Sequence, residues 1–114
     1  MLDDLFAAID AMDPDRFAAF LAPDCTFRFG NLPPVEGRAA VRDFVAGFFG
    51  TIGAIRHELV DRVEAGGRIA TRGFVTYPRK DGSTLRVPFA NVFGLDGGRV
   101  RDYLIFIDNS ALFA

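Results

Sequence analysis

Tryptophan is absent from this chain of 114 residues, cysteine and histidine occur once each, and tyrosine occurs twice. The lone cysteine, Cys25, excludes an intramolecular disulfide framework and fits a reducing compartment. A single histidine beside a single cysteine supplies too few strong ligands for a zinc site, so neither a metal nor a cofactor is expected. Basic residues are scattered singly and the formal charge is −2. No polybasic stripe is present to neutralise phosphates, and nucleic acid is not expected as a partner. No apolar run approaches the length that spans a membrane, and Met1-Leu2-Asp3-Asp4 lacks the basic segment that opens a secretory signal. The expectation is a cytoplasmic protein without membrane contact.

Phenylalanine, by contrast, is abundant, with thirteen copies. Side chains of that size and flatness either fill a core or line a cavity for a flat, apolar ligand. Half of the residues are apolar and a quarter are charged, a globular composition, and the length predicts one domain over 1–114 with one core.

Leu2, Leu5, Phe6 and Ile9 recur at helical spacing and predict a short first helix. Asp13-Pro14-Asp15 then supplies a cap, a proline for the first turn and an acid where the macrodipole favours one. The second helix begins there, carries Phe17, Phe20 and Leu21, and is expected to stop at Pro23. Residues 24–29 alternate as a strand, with Phe27 and Phe29 on one face. Beyond the loop at Pro33-Pro34 and Gly37, the positions Val41, Phe44, Val45, Phe48 and Phe49 predict a third helix with a broad apolar face, and Phe44 in mid-stripe is expected to be buried. Turn signals at Gly66-Gly67, Asp81-Gly82 and Gly97-Gly98 divide the remainder into strands near 55–64, 68–78, 84–94 and 99–108. Gly73, Pro88 and Gly94 fall inside these strands, as residues at bulges, bends and edges do, so the sheet is expected to curve strongly. The fold class is α+β, a curved antiparallel sheet whose concave face is closed by three N-terminal helices.

Four segments carry a resemblance: Ile9-Asp10-Ala11-Met12-Asp13 before the second helix, Pro34-Val35-Glu36-Gly37-Arg38 before the third, Pro88-Phe89-Ala90-Asn91-Val92-Phe93, and the closing Gly98-Arg99-Val100 with Ile107-Asp108. In that order and spacing the whole chain resembles the nuclear-transport-factor-2-like superfamily, in its SnoaL-like (cystatin-like) branch. The resemblance implies a conical fold around a pocket that commonly dimerises through the outer sheet face; it implies no single reaction. Ketosteroid isomerases carry their proton-shuttling Asp where this chain has Phe29, and an oxyanion-binding Tyr at about Leu5. Their second site acid falls at about Asn91, where an amide can also donate a hydrogen bond. The acidic and basic set of limonene epoxide hydrolases would fall near Val75, Gly73 and Ile105, and their water-holding residues at Phe27 and Phe29. Neither mechanism is inherited with the fold.

The candidate catalytic residues are therefore read from parity. His57 shares an apolar strand face with Ile55 and Leu59, where it is either a general acid/base or a core histidine satisfied by one hydrogen bond. Asn91 stands between Phe89 and Phe93, and either orients a ligand carbonyl or bonds to backbone near Pro88. Phe27, Phe29, Tyr77, Phe89 and Tyr103 are the candidate ligand-binding residues, with the tyrosines expected at a rim or interface. Asp108 is expected to hold the C-terminal segment, and Asp102 to pair with an arginine on a neighbouring strand. Two functions stay open: acid/base isomerisation, cyclisation or dehydration of a carbonyl or polyketide-like compound, or a module that binds a small hydrophobic molecule without chemistry. On the opposite sheet face Ala90, Val92, Leu104 and Phe106 form an apolar patch, rimmed by Arg72, Arg86 and Asp102, that predicts a homodimer.

Overall fold

A computed structural model describes residues 1–113. Helix α1 spans Leu2–Asp10, α2 Pro14–Ala18 and α3 Arg38–Thr51; the strands are β1 (Leu21–Phe29), β2 (Val35–Glu36), β3 (Arg56–Ala65), β4 (Arg68–Pro78), β5 (Thr84–Asp96) and β6 (Arg99–Ile107), and a short 3₁₀ turn covers Ser110–Phe113. The six strands form one open sheet in the order β2-β1-β6-β5-β4-β3. Among the described residues no helix is long and apolar enough to cross a membrane.

The stripe Leu2, Leu5, Phe6 and Ile9 is buried along α1. That helix closes with Met12 in the left-handed region at φ +52°. The Met12 amide returns to the Ile9 carbonyl at 2.8 Å and the Asp13 amide to Ala8 at 3.1 Å, which satisfies two of the terminal carbonyls. Asp13 then caps α2, its carboxylate accepting from the Arg16 amide at 3.0 Å with Pro14 in the first turn.

The structure departs from the expected second helix. It ends at Ala18, Phe20 already accepts a strand bond from the Val100 amide at 2.9 Å, and Leu21 begins β1. Pro23 therefore stops no helix. It sits between Leu21 and Thr26, where the pairing with β6 is irregular and a missing N–H is tolerated. The sheet is also not wholly antiparallel, because β1 pairs with β6 in parallel. The chain arrives at that parallel neighbour only after α3 and the meander, a crossover that no local pattern records. The two-residue β2 is too short to show an alternation.

From β3 to β6 the predicted meander is present, antiparallel throughout. Gly66-Gly67 and Gly97-Gly98 both have positive φ at the two central residues, the backbone that matches a hairpin to the twist of its strands. Curvature comes from bulges. Val60 is the extra residue of β3 opposite Gly73, and Arg101 the extra residue of β6 beside Gly94. Pro88 pairs with Phe74 of β4 but lies just beyond the last β5–β6 pair, Phe89 with Ile107.

The three helices lie on the concave face. In α3 the buried side chains are Val41, Val45 and Phe49; Phe44 is only half-buried, contrary to its expected place, because it lies at the side of the stripe against Phe27 and Phe29. Arg42 ties α3 to α2 through Asp15 at 2.9 Å. On the convex face Phe106 is 57% exposed, and Arg86 lies 3.9 Å over the ring of Phe74 while pairing with Glu58.

Candidate functional site

Alternation along β3, β5 and β6 turns one set of side chains toward the helices, and those side chains bound a cavity of about 50 Å³. Phe27 and Phe29 from β1, Tyr77 from β4, Phe89 and Asn91 from β5 and Tyr103 from β6 all line it, as does His57. The surroundings are aromatic. Phe27 stacks on Tyr103 at 5.1 Å between ring centres, Phe93 meets Tyr103 edge-on at 4.7 Å, and Phe29 meets Phe48 at 5.1 Å.

His57 is held on three sides. Its Nδ1 lies 2.6 Å from Oδ1 of Asp10, the last residue of α1, and its backbone amide donates to the same carboxylate at 3.1 and 3.2 Å. The imidazole packs 4.9 Å from Phe6 and stands perpendicular to Phe89 at 5.2 Å. A carboxylate can only accept, so Nδ1 carries hydrogen, and in the neutral ring this is the tautomer that leaves the lone pair on Nε2. The side chain is 12% exposed, and Asp10 28%. An imidazole oriented by a carboxylate, with no partner for its second nitrogen among the described residues, can act as a general base when neutral.

Asp10 was not legible as a site residue, although one physical signal marked it. An acid at a helix C-terminus opposes the macrodipole, and α1 has no basic residue in its last turn to offset it. The carboxylate is instead stabilised by the β3 amide and the imidazole.

Asn91 is buried, and its Nδ2 donates to the Leu104 carbonyl of β6 at 3.3 Å. That is a bond to backbone across the regular β5–β6 ladder, not at the Pro88 position anticipated for it. One amide hydrogen and the amide oxygen remain. Directly across the β4–β5 pairing, the buried Thr71 hydroxyl has no hydrogen-bond partner among the described residues.

Neither tyrosine lies at a rim or interface. Tyr77 and Tyr103 are each 2% exposed, because the curvature of β4 and β6 turns them inward. Burial pushes the Tyr77 phenol up to about 12, with the Asn109 side chain acting against the shift, and it pushes Tyr103 up as well. Both stay protonated, hence hydrogen-bond donors, through the physiological range. Cys25 is buried and its thiol is raised, chiefly by burial and then by Asp24, so it packs as a small apolar side chain. The expected arginine partner of Asp102 is absent among the described residues: Arg101 reaches Asp24 at 3.5 Å, and the Asp102 carboxylate folds over Gly94, where a Cβ would lie 2.7 Å from it. Asp108 accepts from the Ser110 amide at 3.1 Å, and the Ser110 hydrogen bonds hold its carboxyl below the usual range.

Residues 2–103 match the family described as a SnoaL-like domain. Among solved structures, TerC co-crystallised with polyporic acid superposes with a TM-score of 0.83 at 18% identity, covering 97% of this chain and 91% of that one. A hypothetical protein with a ketosteroid isomerase-like fold from Catenulispora acidiphila DSM 44928, in complex with trimethylamine, reaches 0.86 at 16% identity over 96% of this chain and 85% of its own. An LEH-like epoxide hydrolase from M. tuberculosis reaches 0.81 at 15% identity over 98% and 83%. At these identities the likeness is one of fold. No curated protein matches the chain in sequence.

Proposed function

From the premise that the chain belongs to the SnoaL-like domain family, we propose that it is a one-domain, cytoplasmic enzyme that holds a small, flat, apolar carbonyl compound and moves a proton on it. The observation that carries this reading is the 2.6 Å contact between His57 and Asp10 at an aromatic cavity wall, with no partner for the other imidazole nitrogen among the described residues. In the reaction, Nε2 takes a proton from the carbon next to the carbonyl, the electron pair moves onto the oxygen, and the imidazolium returns the proton to the same or a conjugated carbon. Proton and charge balance without a cofactor. The carbonyl oxygen needs a donor as it becomes anionic, and among the residues that line the cavity the Tyr77 and Tyr103 phenols and the Asn91 amide are the groups able to donate. Phe27, Phe29 and Phe89 supply flat apolar surface for the substrate body. Two structural neighbours described with small organic molecules, polyporic acid and trimethylamine, support a ligand-binding reading.

The small volume of the cavity favours a second reading, a binding module in which the phenylalanines fill most of the interior. The two are separated by hydrogen–deuterium exchange at the carbon next to the carbonyl of a flat aromatic ketone such as tetralone, followed by NMR in heavy water. Acceleration by the wild type that His57→Gln lowers by about 10²–10⁴-fold supports the enzyme. Exchange at the buffer rate with both proteins supports the module.

In either case we read the convex face as a homodimer interface. Ala90, Val92, Leu104 and the exposed Phe106 form its apolar centre, and the Arg72–Asp61 and Arg86–Glu58 pairs its polar rim.

A further inference from the structure

The cavity beside His57 is too small for the substrate class just described. Ligand sites span roughly 300–1,000 Å³, and this one has about 50 Å³. A cleft of about 300 Å³ lies immediately outside it, between the loop at Gly30-Asn31-Leu32, one side of α3 and the segment Asp108–Ser110. Four residues line both spaces: Phe29, Phe44, Phe48 and Ile107. Each of the four is half-buried, with one side facing the cavity and the other the cleft.

These four side chains are a partition one residue thick. Phe44 and Phe48 stand one turn apart on α3, and both lean on Phe29, at 6.4 and 5.1 Å between ring centres. A phenylalanine turns about two side-chain angles, so rotation of these rings alone, with the backbone fixed, is enough to join the two spaces.

We propose that cavity and cleft are two parts of one site, separated by the movable rings of Phe29, Phe44 and Phe48. Its ligand is an elongated, flat molecule whose apolar carbonyl end reaches His57 and whose outer end is neutral or cationic. This rests on the acid/base reading only for the carbonyl. The outer end follows from the cleft itself, whose polar lining is Asn31, Asp108, Asn109 and Ser110, with no basic side chain. An anionic tail would meet the Asp108 carboxylate and find no cation, whereas a hydroxyl, an amide or an amine finds acceptors and donors.

The test is stopped-flow binding of prodan, a neutral flat naphthyl ketone whose emission moves to the blue in apolar surroundings, with a naphthalene sulfonate of similar size as the anionic comparison. Wild type, Phe48→Ala and the milder Phe48→Leu are compared, each checked for folding by circular dichroism. The expected result is a blue-shifted complex with prodan and an association rate raised about tenfold or more in Phe48→Ala, since binding that waits for a conformational change is slow. Phe48→Leu should fall between, and the sulfonate should bind the wild type at least about tenfold more weakly. Equal association rates in all three proteins would overturn the partition, equal affinity for the sulfonate would overturn the assignment of the outer end, and absence of any prodan complex would overturn the combined site. Ketone exchange separates this from the acid/base reading: a prodan complex with the expected rates, in a wild type that exchanges no ketone hydrogen, keeps the combined site and removes only the chemistry.

Discussion

Gly73 on β4 faces Leu59 on β3 so closely that a Cβ at Gly73 would overlap the carbonyl of Glu58, directly opposite the bulge at Val60. The bend of the outer strands depends on that approach, and with it the position of His57, two residues before Leu59 on β3. Gly73→Ala is expected to cost more than about 2 kcal/mol, since backbone and not a flexible side chain has to yield. Gly47→Ala on α3, where nothing lies within 4 Å of the added carbon, should stabilise by about 0.5–1 kcal/mol. Urea titration of the pair checks both signs.

The aromatic interior predicts an order of mutational cost. Phe17 is 1% exposed and packs edge-on against Phe27 and Tyr103, so Phe17→Ala should cost about 3–5 kcal/mol. Phe44 is half-buried at the partition, and Phe44→Ala should cost less, about 1–3 kcal/mol. Equal losses in denaturant titrations would mean that Phe44 is packed as deeply as Phe17.

Stability should fall at alkaline pH. The Tyr77 phenol ionises near 10.0 when unfolded and at about 12 when folded. Between those values the unfolded chain has lost a proton that the folded one keeps, so unfolding becomes easier as pH rises through the window. The contribution is fully present below pH 10 and amounts to up to about 3 kcal/mol. Denaturant midpoints measured from pH 8 upward should show the decline, and Tyr77→Phe should make it shallower.

Phe106 gives the dimer a sharp test. Placing arginine at this exposed ring would bury an unpaired charge in the proposed seam. Sedimentation should show a wild-type dimer at micromolar concentration and a Phe106→Arg monomer with unchanged circular dichroism. A monomeric wild type, or a variant that dimerises as tightly, would remove the interface.

Much of this architecture was legible because its signals are local. The stripe ending at Ile9, the cap at Asp13 and the glycine pairs of the hairpins each act through backbone geometry within a few residues. The start of β1, the pair Val35-Glu36 and the parallel β1–β6 contact were not, since each is decided by strands distant in sequence. The site divides the same way. Parity alone turned His57 and Asn91 to the concave side, but the partner of His57 lies 47 residues away, and only the acid against the α1 dipole hinted at it. Whether the phenylalanines enclose or fill the cavity depends on volumes that no periodicity encodes.

The central claim is that Asp10 holds His57 with its hydrogen on Nδ1 and its Nε2 free. Because the chain has a single histidine, a long-range nitrogen–proton spectrum of the imidazole shows one residue without assignment. At a pH where the ring is neutral the account predicts one tautomer, with Nδ1 protonated and Nε2 bare, and its loss in Asp10→Asn. A spectrum with the hydrogen on Nε2, or one that Asp10→Asn leaves unchanged, would contradict it.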